Sequence, residues 1–215
     1  MVERTKVAIV EDHELVLAGL VKLVEEGGYA VVAAARNFRE ALEKIPFSGA
    51  RVVLLDFHIP GGDGILLLRE LKAKMPGTMF LMLTVEEDEE IIFRALREGA
   101  RGYVLKHSPP ERLLESIRTC ARGEFLLGAE VYAKVFDRLR KEEALPADFL
   151  QHTSLSNREQ EVVELILAGK SNKEIARILK ISENTVKNHI TKILRKLNLQ
   201  DRVELFLLAA HRKNR

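Results

Sequence analysis

Five residues equipped for phosphate chemistry close apolar runs in this sequence. Glu11 and Asp12 follow Lys6-Val7-Ala8-Ile9-Val10, and Asp56 follows Val52-Val53-Leu54-Leu55. Thr84 follows Met79-Phe80-Leu81-Met82-Leu83, and Lys106 follows Gly102-Tyr103-Val104-Leu105. Carboxylates are hard oxygen ligands, and two or three suffice for Mg2+, which keeps several of its waters. A carboxylate can also act as a nucleophile and form an aspartyl-phosphate. A lysine brings compact positive charge to phosphoryl oxygens, and a threonine brings a hydroxyl donor. Phosphoryl transfer needs mainly such neutralisation and positioning. Asp56 is the best nucleophile, because an acid that closes an aliphatic run and leads into His58-Ile59-Pro60-Gly61 lies close against a buried sheet. Taken singly, Asp12 and Thr84 also suit helix caps, and a lone lysine is most often solvated. The specific signal is that all of them fall at strand ends.

The elements that must position these residues alternate over the first 122 residues. Short apolar runs near 6–10, 30–34, 51–55, 79–83 and 102–105 read as strands covered on both faces. Helical patterns fall near 13–26, 37–45, 64–75, 86–98 and 109–121, the first with Leu17, Leu20, Val21 and Val24 on one stripe. Five βα units imply a doubly wound parallel sheet with right-handed crossovers. The flavodoxin-like strand order 2-1-3-4-5 sets strands 1, 3, 4 and 5 side by side, and ligands bind at their carboxyl ends. Glu11, Asp12, Asp56, Thr84 and Lys106 then share one pocket.

Residues 123–152 read as a joint, with Gly123 and Gly128 around a turn and a helix over about 129–143 carrying Val131, Val135 and Leu139. Leu145-Pro146-Ala147-Asp148 reads as loop, since proline stops a helix. The tail, 153–215, is helical. Ser156-Asn157-Arg158-Glu159 and Ser171-Asn172-Lys173-Glu174 both match a capping box. Gly169 falls where a helix needs a left-handed cap. Ser182 is placed to cap a helix over 183–197, and a last helix runs from about Asp201 to Ala210 with Val203, Phe206, Leu207 and Ala210 along it.

Charge separates the same regions. Residues 1–123 carry 17 Lys and Arg against 19 Asp and Glu, whereas residues 153–215 carry 13 against 7. A basic excess confined to the tail points to a polyanion there. At about 100° per residue, Val186, Ile190, Ile193 and Leu197 share one face of the 183–197 helix. Asn184, Lys187, Asn188, Thr191 and Arg195 share the other. Cations, amides and a hydroxyl are the groups that reach phosphates and base edges in a major groove. The preceding helix, 172–179, and the tight turn at Lys180-Ile181 give the spacing of a helix-turn-helix. Cys120 is the only cysteine, which excludes an internal disulfide or a cysteine-built zinc cluster and fits a reducing cytoplasm. No run approaches about 20 apolar residues, and no signal-peptide pattern opens the chain. No membrane partner is therefore expected.

Two resemblances follow from these motifs. Glu11-Asp12, Leu55-Asp56-Phe57-His58-Ile59-Pro60-Gly61-Gly62-Asp63-Gly64, Leu83-Thr84 and Gly102-Tyr103-Val104-Leu105-Lys106 together resemble the receiver domain of two-component response regulators. Leu155-Ser156-Asn157-Arg158-Glu159, Ser171 through Ala176 and Ile181 through His189 resemble the LuxR-type domain. The whole chain thus resembles the NarL/FixJ class, with a receiver over 1–122, a linker over 123–152 and a helix-turn-helix domain over 153–215. That resemblance implies a DNA-binding transcription regulator, not an enzyme. Its implied partners are a histidine kinase, double-stranded DNA, a second copy of itself when active and the transcription machinery.

Residue by residue, the resemblance implies that Asp56 accepts the phosphoryl group and Lys106 pairs with it. Glu11, Asp12, Asp56 and the backbone carbonyl of His58 would hold Mg2+. Thr84 would turn towards the phosphoryl group and Tyr103 would change its packing. In the tail it implies Lys187, Asn188 and Thr191 at base edges, and Lys173, Ser182, Asn184, Thr185 and Arg195 at phosphates. Ile181 and His189 are expected to pack instead. The sequence departs from the family pattern at Glu11, where many relatives have Asp, at Thr191, where a basic residue is common, and at Val85, which is bulkier than usual. Val85 is expected to slow the access of water to an acyl-phosphate. Two rival readings fit part of the sequence: an α/β phosphatase using Asp56, which would lack the acid that His58 replaces, and a DNA-binding protein whose receiver only dimerises.

Overall fold

The computed structural model describes residues 4–123, 126–127, 131, 134, 153–168, 170, 172–199, 205 and 208. The chain divides into two compact units, residues 1–131 and 132–215.

In the first unit the apolar runs become β1 (Lys6–Val10), β2 (Ala30–Ala35), β3 (Val52–Leu55), β6 (Met79–Thr84) and β7 (Gly102–Leu105). They pair in parallel, in the order β2-β1-β3-β6-β7. This is the expected 2-1-3-4-5 topology. A sixth parallel strand, β8 (Leu126–Leu127), extends the sheet beside β7, with Gly102 opposite Leu126. It lies beyond the boundary expected at residue 122. His58–Ile59 (β4) and Gly62–Asp63 (β5) form a small antiparallel ribbon just after Asp56.

Five helices cover the sheet: α1 (Glu14–Glu26), α2 (Phe38–Lys44), α3 (Gly64–Lys74), α4 (Glu89–Glu98) and α5 (Pro110–Ala121). Val24 of α1 and Leu113, Ile117 and Cys120 of α5 share a core with Val7, Ile9, Val52 and Leu54. Leu17, Leu20 and Val21 pack against it, as the stripe in the sequence requires. The helix expected from residue 86 starts three residues later. The Asp88 carboxylate accepts hydrogen bonds from the Glu90 and Ile91 amides at 2.8 and 3.2 Å and so fixes that start. Thr84 is therefore not its cap. Nor does Asp12 cap α1, whose N-cap is His13 without a side-chain bond.

The second unit contains α6 (Asn157–Leu167), α7 (Asn172–Leu179) and α8 (Glu183–Lys196). The capping box at Ser156 and Glu159 is present. Val162, Val163, Ile166, Ile175, Val186 and Ile193 are fully buried, each contributing about 1.5–3 kcal/mol of hydrophobic stabilisation. Lys180 takes a left-handed φ of 54° to turn the chain from α7 to α8. Ser182 caps α8 by accepting from the Thr185 amide at 3.0 Å. Gly169 and Ser171, most of 129–143, and Val203, Phe206, Leu207 and Ala210 lie outside the described residues.

Candidate functional site

Register brings the strand ends together. Val10 lies opposite Leu55, Leu55 opposite Met82, and Thr84 opposite Leu105. Backbone bonds extend the ladder one residue further, into the pocket. The Glu11 amide donates to the Ala35 carbonyl at 3.0 Å, the Asp56 amide to Val10 at 3.1 Å and the Lys106 amide to Thr84 at 2.9 Å. The side chains that follow each strand thus have little freedom to choose another direction.

Glu11, Asp12 and Asp56 each offer a carboxylate oxygen, and these lie within 4.8 Å of one another. Lys106 bridges two of them, its Nζ standing 2.6 Å from Glu11 Oε2 and 2.7 Å from Asp56 Oδ2. Glu11 and Asp56 are buried. Burial raises the Glu11 pKa, and the hydrogen bond from Lys106 only partly opposes it. For Lys106, burial favours the neutral amine, but its bonds to Asp56 and Glu11 outweigh this and raise its pKa. Three carboxylates facing one ammonium leave an excess of negative charge on oxygen donors. Such a set fits a hard divalent cation. The remaining oxygens are weakly engaged: Glu11 Oε1 lies 3.4 Å from the His13 amide, and Asp56 Oδ1 lies 3.4 Å from the His58 amide.

The far side of the pocket turns on Glu86, a residue that sequence reasoning passed over. Its amide donates to Thr84 Oγ1 at 3.3 Å, and its carbonyl accepts from the Tyr103 hydroxyl at 3.0 Å. Its carboxylate meets His58 Nε2 at 2.6 Å. One residue therefore joins Thr84, Tyr103 and the loop after Asp56. Thr84 is buried and, as an acceptor in that bond, keeps its own proton to donate. Tyr103 is also fully buried. Burial, reinforced by the charge of Glu86, raises its phenol pKa. The near side is tight. A side chain at Gly64 would strike the Asp56 carbonyl and place its Cβ 2.7 Å from Phe57 Cα.

The outward face of α8 has a different character. Asn184, Lys187, Asn188, Thr191 and Arg195 are all exposed, as is Lys173 on α7. Ile181 and His189 are half-buried. The Ser182 and Thr185 hydroxyls share one hydrogen bond of 2.8 Å, so between them one proton is left for an outside acceptor. Behind this face, Lys196 ties α8 to α6. Its Nζ lies 2.6 Å from Glu159 Oε2 and 3.2 Å from the Ser154 carbonyl. Bonds from Lys196 and the Ser156 amide hold Glu159 at about 2, against an ordinary 4.5.

A parallel sheet with an acidic cluster and lysine at its carboxyl edge, followed by a helix-turn-helix unit, defines a response regulator, and the chain belongs to that family. Residues 7–118 match the response regulator receiver domain, and residues 153–209 match the luxR family of bacterial regulatory proteins. The chain is 35% identical over 209 residues to the nitrate/nitrite response regulator protein homolog of Haemophilus influenzae, with 97% of each chain covered. It is 33% identical over 212 residues to the oxygen regulatory protein NreC of Staphylococcus carnosus, covering 97% of this chain and 98% of the relative. Among solved structures, it is similar to the two-component response regulator RcsB in a DNA complex. That match has 26% identity and a TM-score of 0.58, and covers 97% of this chain and 100% of that one. Receiver domains typically bind Mg2+ in an acidic pocket, and here Glu11, Asp12 and Asp56 form an acidic cluster. Among the described residues, no helix is long and apolar enough to cross a membrane.

Proposed function

We propose that Asp56 is the phosphoacceptor and that its modification controls DNA binding by α8. The observation that carries this reading is the Lys106 bridge between Asp56 and Glu11, with Asp12 alongside. In the transfer, an Asp56 carboxylate oxygen bonds to phosphorus as the P–N bond of a kinase phosphohistidine breaks. The electron pair stays on the imidazole nitrogen, which takes up a proton. Lys106 neutralises the developing charge on the phosphoryl oxygens, and Thr84 donates its hydroxyl proton to one of them. Glu11, Asp12, Asp56 and the His58 carbonyl are the ligands assigned to Mg2+, which supplies further charge neutralisation when bound. When Thr84 turns towards the phosphoryl group it gives up the Glu86 amide, and Tyr103, bonded to the same residue, must repack. The modification shifts the protein between states only by its differential stabilisation of them.

In this reading the receiver occupies residues 1–122, the linker 123–152 and the DNA-binding domain 153–215, acting in the cytoplasm as a dimer when phosphorylated. Lys187, Asn188 and Thr191 meet base edges. Lys173, Ser182, Asn184, Thr185 and Arg195 meet phosphates, and regulation runs through contact with the transcription machinery. The protein is a stoichiometric switch and not a turnover catalyst. Incubation with acetyl phosphate and Mg2+, followed by intact-mass measurement, should show one phosphoryl adduct that the Asp56→Ala chain does not form. Catalytic release of phosphate in a burst, or no adduct, would overturn the proposal.

A further inference from the structure

The outward side chains of α8 fall into two chemical groups. Asn184, Lys187, Asn188 and Arg195 make no side-chain hydrogen bond among the described residues. Their donors and acceptors meet water now and can be transferred to a duplex. Thr191 differs: its Oγ1 donates to the Lys187 carbonyl at 3.0 Å. Its one hydroxyl proton is therefore spent inside the helix, as Ser and Thr often do in this setting. Turning that proton to a base would exchange one hydrogen bond for another, with little net gain. The Cγ2 methyl requires no such exchange. Thr191 is exposed one turn beyond Lys187, and removing a methyl group from water is favourable wherever it meets an apolar partner. In the major groove the group of that kind is the 5-methyl of thymine.

We infer that Thr191 reads a thymine through contact between its own methyl and the 5-methyl group of the base, and not through a hydrogen bond. This rests on the reading of α8 as the helix that enters the groove. It assigns a base to a position where relatives commonly carry a cation, and it makes the readout apolar.

The test uses the full-length chain treated with acetyl phosphate and Mg2+. A duplex is selected from a random pool. Affinities of wild type, Thr191→Val and Thr191→Ser are then measured on that duplex and on versions in which each thymine in turn is replaced by deoxyuridine. Valine keeps the methyl and the β-branch, and serine keeps the hydroxyl. Thr191→Val should bind as wild type does, and Thr191→Ser about fourfold more weakly, the affinity equivalent of one buried methyl group. One particular thymine-to-uracil exchange should weaken wild type and Thr191→Val by about that same factor and leave Thr191→Ser unchanged, the signature of direct coupling. Thr191→Ser binding like wild type while Thr191→Val weakens would overturn the inference in favour of a hydroxyl contact. So would the absence of any thymine coupled to Thr191. In both cases Lys187→Ala should still bind weakly, which preserves the reading of α8. If Lys187→Ala binds as tightly as wild type, that reading fails and the inference fails with it.

Discussion

The pocket and the α8 face are both rich in polar groups, but they hold them in opposite ways. At the sheet edge the groups are turned on one another: Lys106 serves Asp56 and Glu11 together, and Thr84, Tyr103 and His58 all engage Glu86. On the outward face of α8 the side chains of Asn184, Lys187, Asn188 and Arg195 carry no hydrogen-bond partner among the described residues. A low-dielectric cluster gains its strength from fixed, saturated contacts and loses heavily when one member is removed. A solvated face does the reverse. Its groups are inexpensive to present, each can be deleted with small effect, and their value is realised only against a polyanion.

The largest effect expected from breaking this contrast lies in the pocket. Asp56→Ala should abolish the phosphoryl adduct entirely while far-UV circular dichroism stays unchanged, and chelation of Mg2+ with EDTA should do the same to wild type. A retained adduct would place the acceptor elsewhere.

The next concerns the saturated pair that supports the open face. Glu159→Gln removes a buried carboxylate bonded to Lys196 and Ser156. It should cost about 1.5–3 kcal/mol, read as a lower denaturation midpoint. The folded pKa is depressed, so the contribution is complete above the ordinary value of 4.5 and is lost as pH falls towards about 2. Wild type and Glu159→Gln should therefore converge in stability across that interval. Parallel curves would show that the charge is irrelevant.

Arg195→Ala tests the open face directly. With Arg195 assigned to a phosphate, the slope of log affinity against log salt should fall by about one, with little change in stability. Smallest of all is Val85→Ala. Val85 directly follows Thr84 and is 61% exposed. The alanine variant should lose its phosphoryl group a few-fold faster, the change given by a barrier lower by about 0.5–1 kcal/mol. An unchanged lifetime would remove that role.

The sheet was legible because continuous aliphatic runs closed by polar residues leave little choice of strand, and four of the five strand ends delivered the pocket with them. Strand β8 was not, since Leu126-Leu127 is too short to carry a period and its pairing with β7 is a tertiary event. The start of α4 was misplaced because Glu86, Glu87, Asp88, Glu89 and Glu90 look alike in sequence. Only the geometry of the Asp88 side chain separates the cap from its neighbours. Glu86 was hidden by the same run: a solvated acidic stretch gives no sign that one member bonds through its amide, carbonyl and carboxylate at once. On α8 the faces followed from angle alone, but the rotamer that turns the Thr191 hydroxyl inward has no signal in residue type.

Gly64 carries a consequence for how the first unit responds to modification. With α3 backed directly onto the Asp56 and Phe57 main chain, the segment beneath the acceptor has no room to retreat. If Asp56 carries the phosphoryl group as proposed, that group is accommodated on the opposite wall, where the Glu86 amide donates to Thr84 Oγ1 at 3.3 Å. The stiff wall gives the displacement its direction, and a glycine that takes no part in the chemistry decides which loop has to yield.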